Sequence, residues 1–434
     1  MPSAPLPPIG SDVELELGDD RADLVSHDTY VHGVPHATFA RLRRDDPVSW
    51  VDEPDGRGFW AVTRYHDVLA VSRQPELFSC AQGIRLEDMT AEECEARRTL
   101  MEMDPPQHTA LRRLVSRPFT PRGVQQYAEL VRELTRDVLD ELDGAGQVEF
   151  VSQVARQVPL RLLGRLLGVP DADGEWLVER GDALIGNTDP EFTEFVVDRT
   201  DTDPFRLLPF RSPVALELFD YAAGLIDERR ACPGHDLMSA LVAPMADGSV
   251  LEDLQLKNFF TLMVAAGNDT TRYSMAAGLQ ALAERPALCA SLRADPDRAE
   301  RLPALVEEIL RWSTVTMHFR RTATTDTELG GRRIRAGDKV VMWFVAANFD
   351  DAAFPVPYRF VDDRDPNDHT TFGRHSAHLC LGAHLARLEL RILLEELLDR
   401  VAAFEVDGPI ERLRSNFIAG MKRLPLAMAW GPAR

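Results

Sequence analysis

The residue richest in chemistry is Cys380, in the run Phe372-Gly373-Arg374-His375-Ser376-Ala377-His378-Leu379-Cys380-Leu381-Gly382-Ala383. Apolar residues at helical spacing follow it, at Leu385, Ala386, Leu388, Leu390 and Leu393, so a helix is expected to begin near Leu381. The sulfur then lies at the positive end of that helix, where backbone amides and nearby basic side chains favour a thiolate. Gly373 and Gly382 would let backbone approach a flat ligand closely. Three chemistries fit such a cysteine. It can be a small buried hydrophobe, a zinc ligand together with His375, His378 and His384, or the axial ligand of a haem iron. Structural zinc usually takes ligands as spaced pairs, and no second Cys or His pair stands nearby in the sequence.

Two other runs bear on the choice. In Glu307-Glu308-Ile309-Leu310-Arg311-Trp312, Glu308 and Arg311 share a helix face and can pair, although a solvated surface pair would look the same. In Leu262-Met263-Val264-Ala265-Ala266-Gly267-Asn268-Asp269-Thr270-Thr271-Arg272, a glycine, an acid and two hydroxyls interrupt a long apolar helix. Such residues are unfavourable there unless they have a task, the plain alternative being a threonine bonded back to a carbonyl of the preceding turn.

Taken in order, these runs resemble the cytochrome P450 family, the haem-thiolate monooxygenases, and the resemblance extends over most of the chain. The cysteine loop resembles the family's haem signature, with Phe372, Gly373, His378 and Gly382 around the ligand Cys380. Glu308 and Arg311 resemble its Glu-x-x-Arg pair, and Arg364, in Arg364-Asp365-Pro366-Asn367, matches the third member of a buried triad. Asp104-Pro105-Pro106-Gln107-His108-Thr109-Ala110-Leu111-Arg112 resembles the haem-propionate helix, with Arg321 a further propionate-binding arginine. Ala266 and Gly267 match a kink beside the oxygen site, and Asp269 and Thr270 the acid and alcohol that deliver protons. One departure is visible: Phe372 and Cys380 are eight steps apart, one more than in the commonest bacterial form, which leaves the path of His375 and Ser376 open. Some actinobacterial members resemble this longer form and share the late Glu411-Arg412-Leu413-Arg414-Ser415-Asn416 stretch.

The resemblance implies haem b on the Cys380 thiolate, dioxygen as oxidant, and NAD(P)H electrons arriving through a ferredoxin reductase and a ferredoxin. The reaction implied is insertion of one oxygen atom into a C–H bond of a hydrophobic small molecule, with sterols, terpenoids and lipids ahead of polyketide or peptide tailoring. A haem-thiolate peroxygenase and a silent haem sensor are the rival classes, and neither needs the pair Asp269 and Thr270. The family's topology turns the stretches 79–86, 184–187 and 315–319 toward the pocket, with Leu184, Ile185, Val264, Ala265, Val315, Thr316 and His318 as named wall residues.

The elements that must position these groups are mainly helices, with small β-sheets. Apolar periodicity predicts helices over 65–73, from 124 to 142 and over 150–167, and one long helix over 252–284. A hairpin is expected over 47–63 around Asp55-Gly56. Two further strand pairs should turn at Leu329-Gly330-Gly331 and Ala336-Gly337-Asp338. The whole chain, 1–434, reads as one domain with an irregular lead-in over 1–30 and mobile lid helices over about 172–230. Within the lid, residues 187–213 read as a loop rich in Asp, Thr, Pro and Phe. With 44% hydrophobic and 27% charged residues the chain can build a sizeable core. A net charge of −21 argues against nucleic acid as partner. Local basic clusters, Arg112, Arg113, Arg117 and Arg122, with Arg374 and Arg387, offer a face to an acidic electron donor. Five scattered cysteines fit a reducing compartment. The start Met1-Pro2-Ser3-Ala4-Pro5-Leu6-Pro7-Pro8 has neither a basic nor an apolar leader region. No apolar run approaches bilayer length. The expectation is a cytoplasmic, monomeric enzyme.

Overall fold

Residues 253–283 are apolar on nearly every face, and they form one helix, Asp253–Ala283, that is roughly 46 Å long at 1.5 Å per residue. The computed structural model describes residues 21–431 except 55, 246 and 247, and leaves out the side chain of residue 268. Most of the expected lead-in over 1–30, and Asp55 of the expected hairpin turn, lie outside the described residues; a short 3-10 turn occupies His27–His32. A reciprocal capping box between Glu252 and Gln255 starts the long helix. Helices Gln157–Leu167, Gly174–Ile185, Val214–Ala231 and Arg298–Ser313 pack around it. Two glycines set the closeness of that packing. A Cβ on Gly278 would lie 2.9 Å from Ile309, and one on Gly267 would lie 2.9 Å from Leu163.

The helix after the cysteine runs Ala383–Arg400, two residues later than its apolar spacing predicts, and rests on Arg298–Ser313 and Ala128–Asp140. The long helix stays α-helical through Ala266 and Gly267.

Beside the helices lies a five-stranded sheet in the order Val48–Val51, Phe59–Val62, Lys339–Trp343, His318–Ala323, Phe78–Ser79. Its first two strands are the expected hairpin, paired from Val48 with Val62 to Val51 with Phe59. The turn at residues 329–331 joins the antiparallel pair Thr327–Leu329 and Arg332–Ile334. The turn at 336–338 does not join a second pair. It feeds Lys339–Trp343 into the centre of the large sheet, parallel to Phe59–Val62 and antiparallel to His318–Ala323. That strand is buried along its whole length, which its continuous apolar run required.

Residues 187–213 form turns and 3-10 segments rather than a free loop. Arg414 clamps them, donating to the Thr188 carbonyl at 2.5 Å and to Asp198 at 2.6 and 2.8 Å, while it also holds Asp28 at 2.6 Å.

Candidate functional site

Cys380 opens into a cavity of about 320 Å³ between the cysteine loop and the long helix. The loop is built from turns. Gly373 has φ +73°, a left-handed conformation that favours glycine, and the Cys380 amide donates to the Phe372 carbonyl at 2.8 Å. The extra residue is absorbed beside it: His375 takes φ +61° at the surface, and the Ser376 hydroxyl accepts from the His378 amide at 3.0 Å. Burial raises the Cys380 thiol above its ordinary value. The amides of Gly382 and Ala383 and the charges of Arg112 and Arg387 act in the opposite direction. The donors that stabilise a thiolate are therefore in place three residues before the helix.

On the long helix, Ala265, Ala266, Gly267, Thr270 and Thr271 line the same cavity. The Thr270 hydroxyl donates to the Ala266 carbonyl at 3.0 Å. Asp269 does not line the cavity. Its fully buried carboxylate faces Arg272 at 2.9 Å, and Arg272 bonds Asp182 of helix Gly174–Ile185 at 2.6 Å and the Tyr273 hydroxyl at 2.7 Å. Burial raises Asp269 to about 7, against the lowering by Arg272. The acid and the alcohol are adjacent in sequence, but one side chain turns into the protein and the other into the cavity.

His108, Arg112, Arg321 and His378 reach the cavity from three separate elements. Arg112 donates to the Leu379 carbonyl at 2.5 Å, and Arg321 to the Arg320 carbonyl at 2.8 Å. The rings of His108 and His378 stand 4.1 Å apart, and both nitrogens of His108 are buried without a hydrogen-bond partner. A Cβ on Gly382 would meet nothing within 4 Å. Surplus donors, two arginines and an open face beside a thiol fit a flat anionic group such as haem with its two propionates. Gly267 lines this space by its backbone, while its missing side chain makes room for Leu163.

The zinc alternative finds no geometry. Among the described residues the only cluster with metal-ligand spacing is Cys80, Asp104 and His378, which excludes Cys380, His375 and His384.

Behind the cysteine loop, Glu308 accepts from Arg311 twice at 2.8 Å, from Arg364 at 3.0 Å, from the Val361 amide at 2.9 Å and from Asn367 at 3.1 Å. Burial pushes the Glu308 carboxyl up, but the bonds and charge of Arg311 and the charge of Arg364 outweigh it and hold it below its usual value. Arg311 spends its third nitrogen on the carbonyls of Asn348 and Pro357, at 2.8 and 3.0 Å.

Of the expected pocket wall, Ile185, Ala265, Val315 and Thr316 line the cavity, whereas Leu184, Val264 and His318 do not. Leu184 and Val264 face the helical core, and His318 packs against Trp343 and Phe417 at ring separations of 4.7 and 5.3 Å. The wall also contains Arg85, Glu87, Arg97 and Glu102, together with Phe210 and Phe417. The sequence points to 79–86 as a wall stretch without singling out a residue, and the signal overlooked was the charge on Arg85 itself. A second cleft on the far side of Cys380 is lined by Arg112, Arg374, His375, His384 and Arg387, whereas Arg113, Arg117 and Arg122 lie outside it.

Comparison with known proteins agrees with this geometry. The family model described as cytochrome P450 matches residues 217–417. A steroid C26-monooxygenase of Rhodococcus jostii is 34% identical over 411 residues, covering 92% of this chain and 83% of that protein. A methyl-branched lipid omega-hydroxylase of Mycobacterium tuberculosis is 36% identical over 402 residues, covering 91% of each. Among solved structures, a Mycobacterium marinum cytochrome P450 in complex with pseudoionone superposes with a TM-score of 0.82 at 40% identity, covering 90% of this chain and 94% of that one.

Proposed function

The chain belongs to the cytochrome P450 family of monooxygenases, and from that premise we propose that it inserts one oxygen atom of dioxygen into a C–H bond of a largely apolar molecule of the sterol or branched-lipid kind. The observation that carries this reading is one cavity with Cys380 in one wall and Ala266 and Thr270 in another, walled elsewhere by apolar side chains such as Leu163, Phe259 and Met263.

Haem, when bound, supplies the activation of dioxygen that no side chain can perform. The protein supplies the rest. Cys380 would ligate the iron through its sulfur; burial raises the thiol, and the amides of Gly382 and Ala383 with the charges of Arg112 and Arg387 act in the direction of the thiolate that ligation needs. His108, Arg112, Arg321 and His378 would hold the propionates. Thr270 offers a hydroxyl within the cavity that can release its bond to the Ala266 carbonyl and hold a proton donor. Asp269, raised by burial toward neutral pH, exchanges protons only if its contact with Arg272 loosens, which links proton supply to Asp182 on helix Gly174–Ile185. The second cleft, with Arg112, Arg374 and Arg387, suits an acidic ferredoxin reduced by NAD(P)H through its reductase.

The test is the absorption of the reduced, carbon monoxide-treated protein. A strongly red-shifted band is expected for the wild type, and Cys380→His should lose it while retaining haem. Protein that purifies with zinc and no haem contradicts the proposal. Product analysis with sterols and methyl-branched lipids then assigns the substrate class.

A further inference from the structure

Arg85 occupies an unusual position in the cavity wall. Its guanidinium carbon lies 4.5 Å from the ring centre of Phe210 and 4.6 Å from that of Phe417, so two rings from distant parts of the chain hold it in place. Aromatic faces attract a cation but leave its N–H edge without acceptors. Among the described residues Arg85 has no hydrogen bond and no ion pair. Burial lowers it to about 10, so it remains charged at neutral pH.

Neighbouring charges do not fill the gap. Glu87 is taken by Arg97 at 3.2 Å. Glu102 turns an oxygen to the Thr99 amide at 3.1 Å, and burial shifts it toward its neutral form. Arg97, 7% exposed, still has Nε and Nη2 buried without a partner. This wall therefore presents donors in excess of acceptors beside the apolar side chains Leu163, Ile185, Phe259 and Met263 of the same cavity, a costly arrangement unless a ligand completes it.

We infer that the substrate carries a carboxylate on an apolar body, and that Arg85 binds that carboxylate. A guanidinium is a planar fork that matches two carboxylate oxygens, and the ring contacts of Arg85 use none of its N–H groups. A single negative charge suits the site better than a phosphate dianion, because Glu87 stands in the same wall. The apolar body would lie along Leu163, Ile185, Phe259 and Met263. The inference rests on the reading of this cavity as the substrate chamber of a haem enzyme, and it narrows the substrate from an apolar molecule to an apolar acid.

The experiment uses haem-loaded protein whose carbon monoxide spectrum has first been recorded, so that failure of the haem-thiolate reading shows before any ligand is added. Saturated C12 to C16 fatty acids and their methyl esters are then titrated by calorimetry at neutral pH. The acids are expected to bind roughly ten- to a hundredfold more tightly than their esters, the usual range for a charge-assisted hydrogen-bonded pair. Arg85→Gln should erase that preference while leaving ester binding within about threefold, and Arg85→Lys should keep part of it. Acids that bind no better than esters to the wild type, or Arg85→Gln weakening both alike, would show Arg85 to be a structural clamp between Phe210 and Phe417 and overturn the inference. Absence of binding by either series overturns it as well. The ester comparison on wild-type protein decides the matter even if a variant fails to fold.

Discussion

Glu389 shows how much a single buried acid can contribute. It projects from the cysteine helix into the cavity wall, is 3% exposed, and has an Oε2 with no partner. Burial raises it to about 8. Folded protein therefore keeps this proton at a pH where the unfolded chain has released it, so the contribution to stability declines as pH climbs from about 4.5 toward 8. Glu389→Gln removes the titration. Its melting temperature should gain on the wild type between pH 5 and pH 8, with a slope approaching roughly 1.4 kcal/mol per pH unit; parallel curves would mean the acid finds a partner in solution. Thr270 belongs to the same scale. Thr270→Ala removes a hydroxyl from the cavity wall and should leave haem and substrate binding intact, yet product formed per electron should fall as reduced oxygen escapes as peroxide. A positioned proton donor is typically worth about 10²- to 10⁴-fold in rate. Cofactor oxidation, peroxide and product measured together check this, and unchanged coupling would make Thr270 a packing residue bonded to Ala266.

At the scale of elements, the helix Arg298–Ser313 fixes the cysteine loop from behind. Glu308 and Arg311 sit one turn apart with no solvent exposure, and Arg364 joins them from the segment before the loop. Removing one partner strands buried charges, at a typical cost of about 3–5 kcal/mol. Glu308→Ala is expected to express as poorly folded, haem-deficient protein. Full haem content with an unchanged melting profile would refute a structural role for the triad. The segment over 187–213 depends on a looser device: Arg414 spans Thr188, Asp198 and Asp28, and two of those contacts involve half-exposed or exposed carboxylates. Such pairs weaken with salt while the buried triad does not.

Charge is the property that belongs to the whole molecule. The chain carries −21, yet the cleft behind Cys380 collects Arg112, Arg374 and Arg387. Asp368 and Glu307 partly offset it, at 3.0 Å from Arg374 and 2.5 Å from Arg387. An acidic donor is thus repelled by most of the surface and drawn to one face, which favours correct encounter over random collision. Raising ionic strength from about 0.05 to 0.5 M should slow reduction by an acidic ferredoxin roughly tenfold, as screening shortens to a few ångströms. A rate that does not respond to salt would place docking elsewhere.

Local physics made much of this legible in the sequence. Apolar spacing marks the long helix and the cysteine helix, the three-residue step pairs Glu308 with Arg311, and the run before Cys380 carries its own turn glycine. These features depend on neighbours a few residues apart, so the sequence alone determined them. The family resemblance put Leu184, Val264 and His318 on the cavity wall, and packing sent them to the core instead. Asp269 and Thr270 are adjacent, but a helix turns about 100° per residue. The tertiary fold placed Arg272 and Asp182 beside one and the cavity beside the other. Arg85 became a cavity cation only when Phe210 and Phe417, remote in the chain, closed on its guanidinium, a contact set by how the elements pack and not by the spacing of residues along the chain.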